Sequence, residues 1–248
     1  MQRLERGIAL LEESPPVELA IFPELWTVGF FSFERYAAAA EPLEGPTLAA
    51  LSEVARRRSM WLHGGSIVER SKTGQLFNTS VLFNTEGRLA ASYRKIHLFG
   101  FESSEQRILQ PGSFLTVSTT SFGTAALTTC YDLRFPELYR ALVDQAADTF
   151  LVASAWPASR ASHWTIFTRA RAVENLSYLI ACNACGTDHG TRLLGYSVVV
   201  DPWGEIVAQA GDAEQVLTAE LDLERPTAIR STFPALRDRR PALRIQPE

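Results

Sequence analysis

The chain has 248 residues, 46% of them hydrophobic and 21% charged, which is an ordinary composition for a globular enzyme. The formal net charge of −4 and the scattered arginines leave no basic face for a nucleic acid. No apolar run approaches the roughly 20 residues of a membrane span, and the N-terminal stretch MQRLERGIALLEES lacks the continuous apolar segment of a signal peptide.

Neither linkers nor repeats divide the sequence. No Ser/Gly tract, charge block or fixed-period repeat interrupts it, so residues 1–248 are interpreted as one domain. The cysteine count is three. An odd number of cysteines without an export signal predicts reduced thiols in a cytoplasm.

The first half of the chain alternates helical and extended patterns. Apolar residues at helical spacing predict a helix over 2–13, and a short apolar run predicts a strand that ends at Pro23 and Glu24. An amphipathic helix is expected to begin at Thr47, behind Pro46. Three consecutive strands are then predicted, over 61–70, 76–87 and 88–99.

The second half continues the alternation. A strand pair bent near Gly123 precedes a helix with Pro136 in its first turn. A buried strand and a further helix follow, over 149–156 and 163–176. The remaining predicted strands cover 178–186, 193–209 with a break at 201–204, and 215–223. The polar tail from 231 is expected on the surface, and the whole pattern predicts an α/β or α+β layered protein.

Polar residues that a core would not select follow three of the predicted strands. They are Glu24 in IFPELW, Lys95 in SYRKIHLFG and Cys130 in TTCYDLRFPE. Each alone has an ordinary interpretation, as a loop carboxylate, a solvated lysine or a buried packing cysteine. Side chains held at strand ends can converge on one cleft, so the joint occurrence of the three predicts a site.

The three side-chain types complement one another chemically. A cysteine is a good nucleophile only as the thiolate, and it needs a base or a cation beside it. Glu24 can accept the thiol proton and later deliver it to a leaving amine. Lys95 can stabilise both the thiolate and the oxyanion of a tetrahedral intermediate. The backbone N–H of Tyr131 is a second candidate donor to that oxyanion.

Together, FPEL, YRKIHLF and CYDLRFPE resemble the Glu-Lys-Cys triad of the nitrilase superfamily of carbon–nitrogen hydrolases. The resemblance runs from about residue 17 to about residue 240 and includes HWTIFTRARAVEN, DPWGEIVAQAG and FPALRDRR. It implies an α+β fold, a four-layer α-β-β-α sandwich. It also implies a thioester route in which Cys130 attacks, ammonia leaves and water releases the acid. A homodimer or higher homo-oligomer is expected, and no cofactor.

The superfamily carries a second glutamate after the lysine, which helps to position the lysine and the substrate. Glu102 and Glu105 are both candidates here. Glu105 is preferred because it stands seven residues before Gly112, in the PG turn.

Two motifs resemble one branch of the superfamily more closely. CYDLRFPE and SAWPASRASHW resemble the omega-amidases and the deaminated-glutathione amidases, which hydrolyse the ω-amide of a small dicarboxylic acid or a peptide-like conjugate. The distal carboxylate of such a substrate needs a donor such as arginine, and Arg134 or Arg160 could supply it. Trp156 follows a buried strand at the same end as Cys130 and is expected to line the substrate pocket.

Other activities stay open at this point. Nitrilases and N-carbamoyl amino acid amidohydrolases use the same triad, so the triad does not choose among them. A non-enzymatic homologue is disfavoured because all three triad residues are present.

The cysteine and histidine patterns have simpler explanations than a metal site. Cys182 and Cys185 have C-x-x-C spacing, but the chain offers no second ligand pair for zinc. Because they lie in an apolar strand rather than at a helix start, packing is predicted instead of redox chemistry. The four histidines form no H-E-x-x-H or paired pattern, so no metal is expected.

One departure from the superfamily pattern lies at the N-terminus. Relatives begin with a short apolar strand before the first helix, whereas this sequence starts within that helix. The first core strand is therefore expected to be missing or to be encoded upstream. Restoring it is expected to raise stability, because the neighbouring strand would otherwise have an unpaired edge.

Overall fold

Two β-sheets packed face to face occupy the centre of the computed structural model, which describes residues 2–240. The strands of the first sheet are β1 (Leu19–Ile21), β2 (Trp61–Arg70), β3 (Leu76–Phe83) and β4 (Leu89–Arg94). They lie in the order β1-β2-β3-β4. β1 is an edge strand that runs parallel to β2, and the other neighbours are antiparallel.

The remaining strands form a larger sheet and a separate hairpin. They are β5 (Val117–Thr120), β6 (Gly123–Thr129), β7 (Thr149–Ser154), β8 (Tyr178–Asn183), β9 (Cys185–Asp188), β10 (Thr191–Leu194), β11 (Val198–Val200) and β12 (Ile206–Gln209). The second sheet has the order β12-β11-β8-β7-β6-β5, and β9 pairs with β10 alone. Because β6, β7 and β8 are parallel, their carboxyl ends meet at one edge of the sheet.

Helices cover the outer faces of both sheets. The helices are α1 (Gln2–Glu13), α2 (Tyr36–Ala39), α3 (Pro46–Arg58), α4 (Glu105–Ile108), α5 (Pro136–Asp144), α6 (Ala161–Asn175) and α7 (Arg225–Thr232). α1 and α3 bury their apolar faces against the first sheet, and α5 and α6 bury theirs against the second. The result is the expected α+β fold, a four-layer α-β-β-α sandwich.

Apolar side chains from both sheets fill the space between them. Leu82 and Tyr93 come from the first sheet, and Leu127 and Leu151 from the second. Fully burying a leucine is worth about 1.5–3 kcal/mol, so this layer holds the two sheets in fixed relative positions. Every residue of the central strand β7 is buried, as its continuous apolar sequence predicts.

Two local predictions were wrong, and the β9–β10 hairpin was not predicted. α3 begins at Pro46 with Gly45 as its N-cap, so Thr47 lies inside the helix, where its N–H bonds the carboxylate of Glu41. Proline suits the first helical position because that position needs no N–H donor. No strand forms over 215–223, because a β-favouring sequence makes a strand only beside a partner strand.

The described tail matches its prediction. Residues 233–240 are exposed or half-buried, and the predicted tail beyond 240 lies outside the described residues. Among the residues described, no helix combines the length and hydropathy of a membrane span. The single-domain organisation and the additional upstream strand stay predictions.

Candidate active site

The three strand-end residues predicted to converge do lie together. Cys130 follows β6 and opens a 3-10 turn (Cys130–Arg134), Glu24 follows β1, and Lys95 follows β4. Cys130 has a left-handed backbone with φ of +47°. Such a conformation costs on the order of 1–3 kcal/mol in a residue with a Cβ and is typical of functional sites.

Lys95 joins two carboxylates. Its Nζ lies 2.8 Å from Oε1 of Glu24 and 3.0 Å from both carboxylate oxygens of Glu105. All three side chains are fully buried, at 0–1% exposure. Glu102, the other candidate for the second glutamate, is exposed instead, so Glu105 is the one that the fold brings to the lysine.

Asn78 is a member of this cluster that sequence reasoning missed. Its Nδ2 donates to Oε1 of Glu24 at 2.8 Å and to Oε1 of Glu105 at 3.0 Å. The sequence did contain a sign of it: Asn78 is an amide within the apolar strand LFNTSVLF, and a buried polar side chain needs hydrogen-bond partners.

Backbone donors orient the second oxygen of each carboxylate. The N–H of Ala155, just after β7, donates to Oε2 of Glu24 at 3.0 Å. The N–H of Phe99 donates to Oε2 of Glu105 at 2.7 Å. Each carboxylate is therefore held at both oxygens, which fixes its direction relative to Lys95 and Cys130.

Burial and charge shift the pKa values of the cluster in physically clear directions. Burial opposes the charged form of Lys95, but the charges of Glu105 and Glu24 outweigh it and raise the lysine pKa, so the ammonium stays protonated. Burial raises the pKa of Glu105. Burial and then the charge of Glu24 raise the pKa of the Cys130 thiol, while Lys95 acts in the opposite direction. The raised pKa favours the neutral thiol over the thiolate.

Asp132 connects the cysteine turn to the strand end that bears the lysine. Its Oδ2 accepts from the Tyr93 hydroxyl at 2.8 Å and from the Thr129 N–H at 2.9 Å. Its Oδ1 accepts from the His97 N–H at 3.1 Å and lies 2.7 Å from the His97 ring Nδ1. The carboxylate is fully buried.

A small pocket opens above Cys130. Its walls are aromatic and aliphatic, with two guanidinium groups; the lining residues are Phe30, Phe31, Phe99, Cys130, Tyr131, Arg134, Ala155, Trp156, Pro157 and Arg160. Trp156 is among these lining residues; it is also buried, and its Nε1 donates to the carbonyl of Arg160 at 2.9 Å.

Aromatic rings hold both arginines at the pocket. The Arg134 guanidinium lies 5.0 Å from a ring centroid of Trp156, and that of Arg160 lies 5.1 Å from the ring centroid of Phe99. Arg134 also lies 3.1 Å from Nδ1 of His163. Removal from water, the largest cause, lowers the Arg134 pKa. A desolvated guanidinium is a strong partner for a carboxylate.

Cys182 and Cys185 lie away from this pocket. They line a larger cavity, of about 510 Å³, which Glu24 and residues of α1 also line. All three cysteines are free thiols. Within residues 2–240, no cluster of three or more potential metal ligands occurs.

A sandwich of this kind, with a cysteine, a lysine and two glutamates buried at one end of its strands, has the architecture of a nitrilase-fold hydrolase. Known proteins agree: the profile of the carbon-nitrogen hydrolase family matches residues 1–231. The chain belongs to the carbon–nitrogen hydrolase family of the nitrilase superfamily.

Similar proteins include enzymes named for their amide substrates. A 2-oxoglutaramate amidase from Paenarthrobacter nicotinovorans is 40% identical over 245 residues, covering 96% of this chain and 83% of the relative. The omega-amidase NIT3 of Saccharomyces cerevisiae is 34% identical and covers 97% of this chain and 88% of the relative. The crystal structure of yeast Nit3, a member of branch 10 of the superfamily, matches with a TM-score of 0.85, covering 94% of this chain and 89% of that one.

A third relative shows the chemistry of the nucleophile. The amidase from Nesterenkonia sp. AN1 is 28% identical, with a TM-score of 0.81 and coverage of 96% of this chain and 85% of that one. One of its mutants carries the acetamide moiety of fluoroacetamide covalently on the active-site cysteine. The present chain is accordingly an enzyme, a cysteine-dependent carbon–nitrogen hydrolase of the amidase type.

Proposed function

We propose that the enzyme hydrolyses the terminal amide of a small dicarboxylic acid, with 2-oxoglutaramate as the first substrate to test. The observation that carries the proposal is the pair of guanidinium groups, Arg134 and Arg160, in the same pocket as Cys130. A substrate with an amide at one end and a carboxylate at the other can place the amide carbon at the thiol while an arginine binds the carboxylate. The names of the relatives support the same substrate class.

In the proposed acylation, Glu24 takes the proton of the Cys130 thiol and the thiolate attacks the amide carbon. Glu24 and Glu105 keep the Lys95 side chain protonated, so its ammonium can stabilise the oxyanion that develops. Tyr131 is the second residue of the 3-10 turn that Cys130 opens, where backbone N–H groups lack helical partners and can donate to the same oxygen. Glu24 then passes its proton to the leaving nitrogen, and ammonia departs.

Deacylation reverses the proton path. Glu24, now ionised, takes a proton from water as the water attacks the thioester carbon, and the thiolate leaves with the proton returned to it. Glu105 positions Lys95 through two hydrogen bonds. Asn78 holds the two carboxylates at a fixed separation. No step requires a cofactor.

Ammonia release from a matched panel of compounds tests the proposal. The panel is 2-oxoglutaramate, glutaramate, succinamate, simple nitriles, N-carbamoyl amino acids and an uncharged primary amide of the same length. The expected result is a kcat/KM for the carboxylated amides at least ~10-fold above that for the uncharged amide, since a charge-assisted bond is worth roughly 1.5–3 kcal/mol. Carbon dioxide released together with ammonia, or nitriles as the best substrates, would contradict it.

We also propose that the enzyme is a homodimer that works in a reducing cytoplasm. An exposed apolar patch on one side of the second sheet supports self-association: its members are Ile166, Val173, Trp203 and Phe233, at 41–61% exposure. Trp203 and Phe233 pack edge to face, with centroids 5.2 Å apart. Exposed patches of this kind mark interfaces. Light scattering of the native protein and of an Ile166→Glu variant tests this: a dimer is expected for the first and a monomer for the second.

A further inference from the structure

Ser154 is the last residue of β7 and lies beside the nucleophile. β6 and β7 pair in parallel with Thr129 opposite Ala153, so the next position places Ser154 next to Cys130. Its carbonyl accepts the N–H of Glu24 at 3.3 Å and that of Ala184 at 2.9 Å, which fixes the backbone. The residue is fully buried.

The hydroxyl of Ser154 is a buried donor without a partner. Within residues 2–240 its Oγ is one of four buried side-chain atoms that make no hydrogen bond. Buried polar groups are normally paired, so an unpaired one needs an explanation. Ser154 stands close enough to the sulfur of Cys130 to lower the thiol pKa, against the stronger raising effects of burial and Glu24.

Other donors near the sulfur are already engaged. The N–H of Ala155 also lowers the thiol pKa, less than Ser154 does, but it donates to Glu24 at 3.0 Å, and the Lys95 ammonium is shared between two carboxylates. When the thiol proton moves to Glu24, the sulfur acquires a negative charge in a dry site. A preorganised donor aimed at a position where charge develops stabilises that charge without reorganisation.

We propose that Ser154 is a further catalytic residue, whose hydroxyl donates a hydrogen bond to the Cys130 thiolate as Glu24 takes the thiol proton. The serine keeps its own proton throughout, and the hydrogen bond is released when the sulfur bonds to carbon and loses its charge. Ser154 therefore sets the fraction of reactive thiolate. This role rests on Cys130 being the nucleophile of the proposed function.

The test is the pH dependence of Cys130 alkylation by iodoacetamide, in which the thiolate displaces iodide. Wild type is compared with Ser154→Ala, Ser154→Gly and Ser154→Thr, and the modified cysteine is identified by peptide mass spectrometry. Ala and Gly are expected to slow alkylation of Cys130 about tenfold near neutral pH and to move the profile about one pH unit upward, because hydrogen bonds to charged groups are the strong ones. Thr keeps the hydroxyl and is expected to keep the wild-type profile.

A matched control separates this role from simple packing. Ser177 is equally buried, but it precedes β8 at the opposite end of the sheet and bonds the carbonyl of Asn175. Ser177→Ala is expected to lower the melting temperature and leave the alkylation profile unchanged.

Two outcomes would overturn the role of Ser154: a wild-type profile in whichever of the Ala and Gly variants folds, or a Thr variant shifted as far as those two. If Ala and Gly both fail to fold, the Thr profile decides. If Cys130 proves dispensable for turnover, the proposed function fails instead, so the two failures are distinguishable.

Discussion

Asp132 and His97 are joined by two contacts, from the backbone N–H and from the ring Nδ1 of the histidine, at 3.1 and 2.7 Å. One residue stands two positions after Cys130 and the other two positions after Lys95. The buried carboxylate thus fixes the separation of the nucleophile and the ammonium, although it touches neither.

Asp132→Asn should lower both activity and stability. An amide in this place directs an NH2 group at donors that need an acceptor, which leaves buried groups unpaired at a cost of about 1–3 kcal/mol each. Urea unfolding and kcat are the measurements. The control is Asp148→Asn, whose carboxylate bonds the Thr124 N–H at the far end of β6, so stability alone should fall. Normal turnover in Asp132→Asn would show that the Asp132 carboxylate is not needed to keep Cys130 and Lys95 at their working separation.

Cys130→Ala should remove turnover, because no other group can form the covalent intermediate. Its melting temperature should match or exceed that of the wild type, and mass spectrometry of the wild type with a slow substrate should find the acyl group on Cys130. Cys182→Ala and Cys185→Ala serve as controls that keep activity. An adduct on either of those two cysteines would refute the assignment.

Glu105→Gln should reduce kcat by two or more orders of magnitude with a smaller effect on KM. The substitution removes one of the two negative charges that keep Lys95 protonated, and the role is expressed in the transition state. Glu102→Gln is the matched control, since that side chain is exposed, and it should behave as wild type. Equal losses in the two variants would argue for a role of the whole loop instead.

Arg134→Gln should raise KM for a carboxylated amide by about tenfold or more and leave the uncharged amide of equal length unaffected. In the proposed complex the guanidinium pairs with the distal carboxylate of the substrate, and glutamine keeps hydrogen-bonding capacity without the charge. Steady-state kinetics on both amides measure the difference. Arg192→Gln, an exposed arginine paired with Asp212, is the control. An equal loss on both amides would place Arg134 outside substrate recognition.

His63 should make the protein less stable in mild acid. It is fully buried in β2, and burial lowers its pKa from the ordinary value of 6.5 to about 4. Below pH 6.5 the unfolded chain binds a proton that the folded protein does not, so stability is present above that pH and is lost as pH falls toward 4. The loss attributable to His63 between pH 7 and pH 5 is about 2 kcal/mol.

Urea unfolding of wild type and His63→Gln at both pH values checks this. The variant should show the smaller dependence on pH. His189→Gln removes an exposed histidine and should keep the wild-type dependence. Parallel curves for wild type and His63→Gln would exclude His63 as the source.

The strand-end residues could be located from the sequence because each one follows an apolar run that is typical of a strand. Apolar runs before Glu24, Lys95 and Cys130 identify the strands, and the motifs supply the order. Sequence reasoning could not find Asn78 or the N–H of Ala155, because their importance depends on which atoms meet across the two sheets. The prediction of a strand over 215–223 was wrong for a related reason: the β-propensity of a segment does not tell whether a partner strand lies beside it.

The sharing of one ammonium by two carboxylates also governs how protons are handled. With a neutral Cys130 thiol and both carboxylates ionised, the four groups Cys130, Glu24, Glu105 and Lys95 carry a combined charge of −1. Transfer of the thiol proton to Glu24 leaves that sum unchanged, so acylation in the proposed route moves charge within the cluster and adds none to a buried site, where a net ionic charge is costly. The proton that leaves with ammonia is the one the thiol brought, and the solvent need supply none until water arrives to break the thioester.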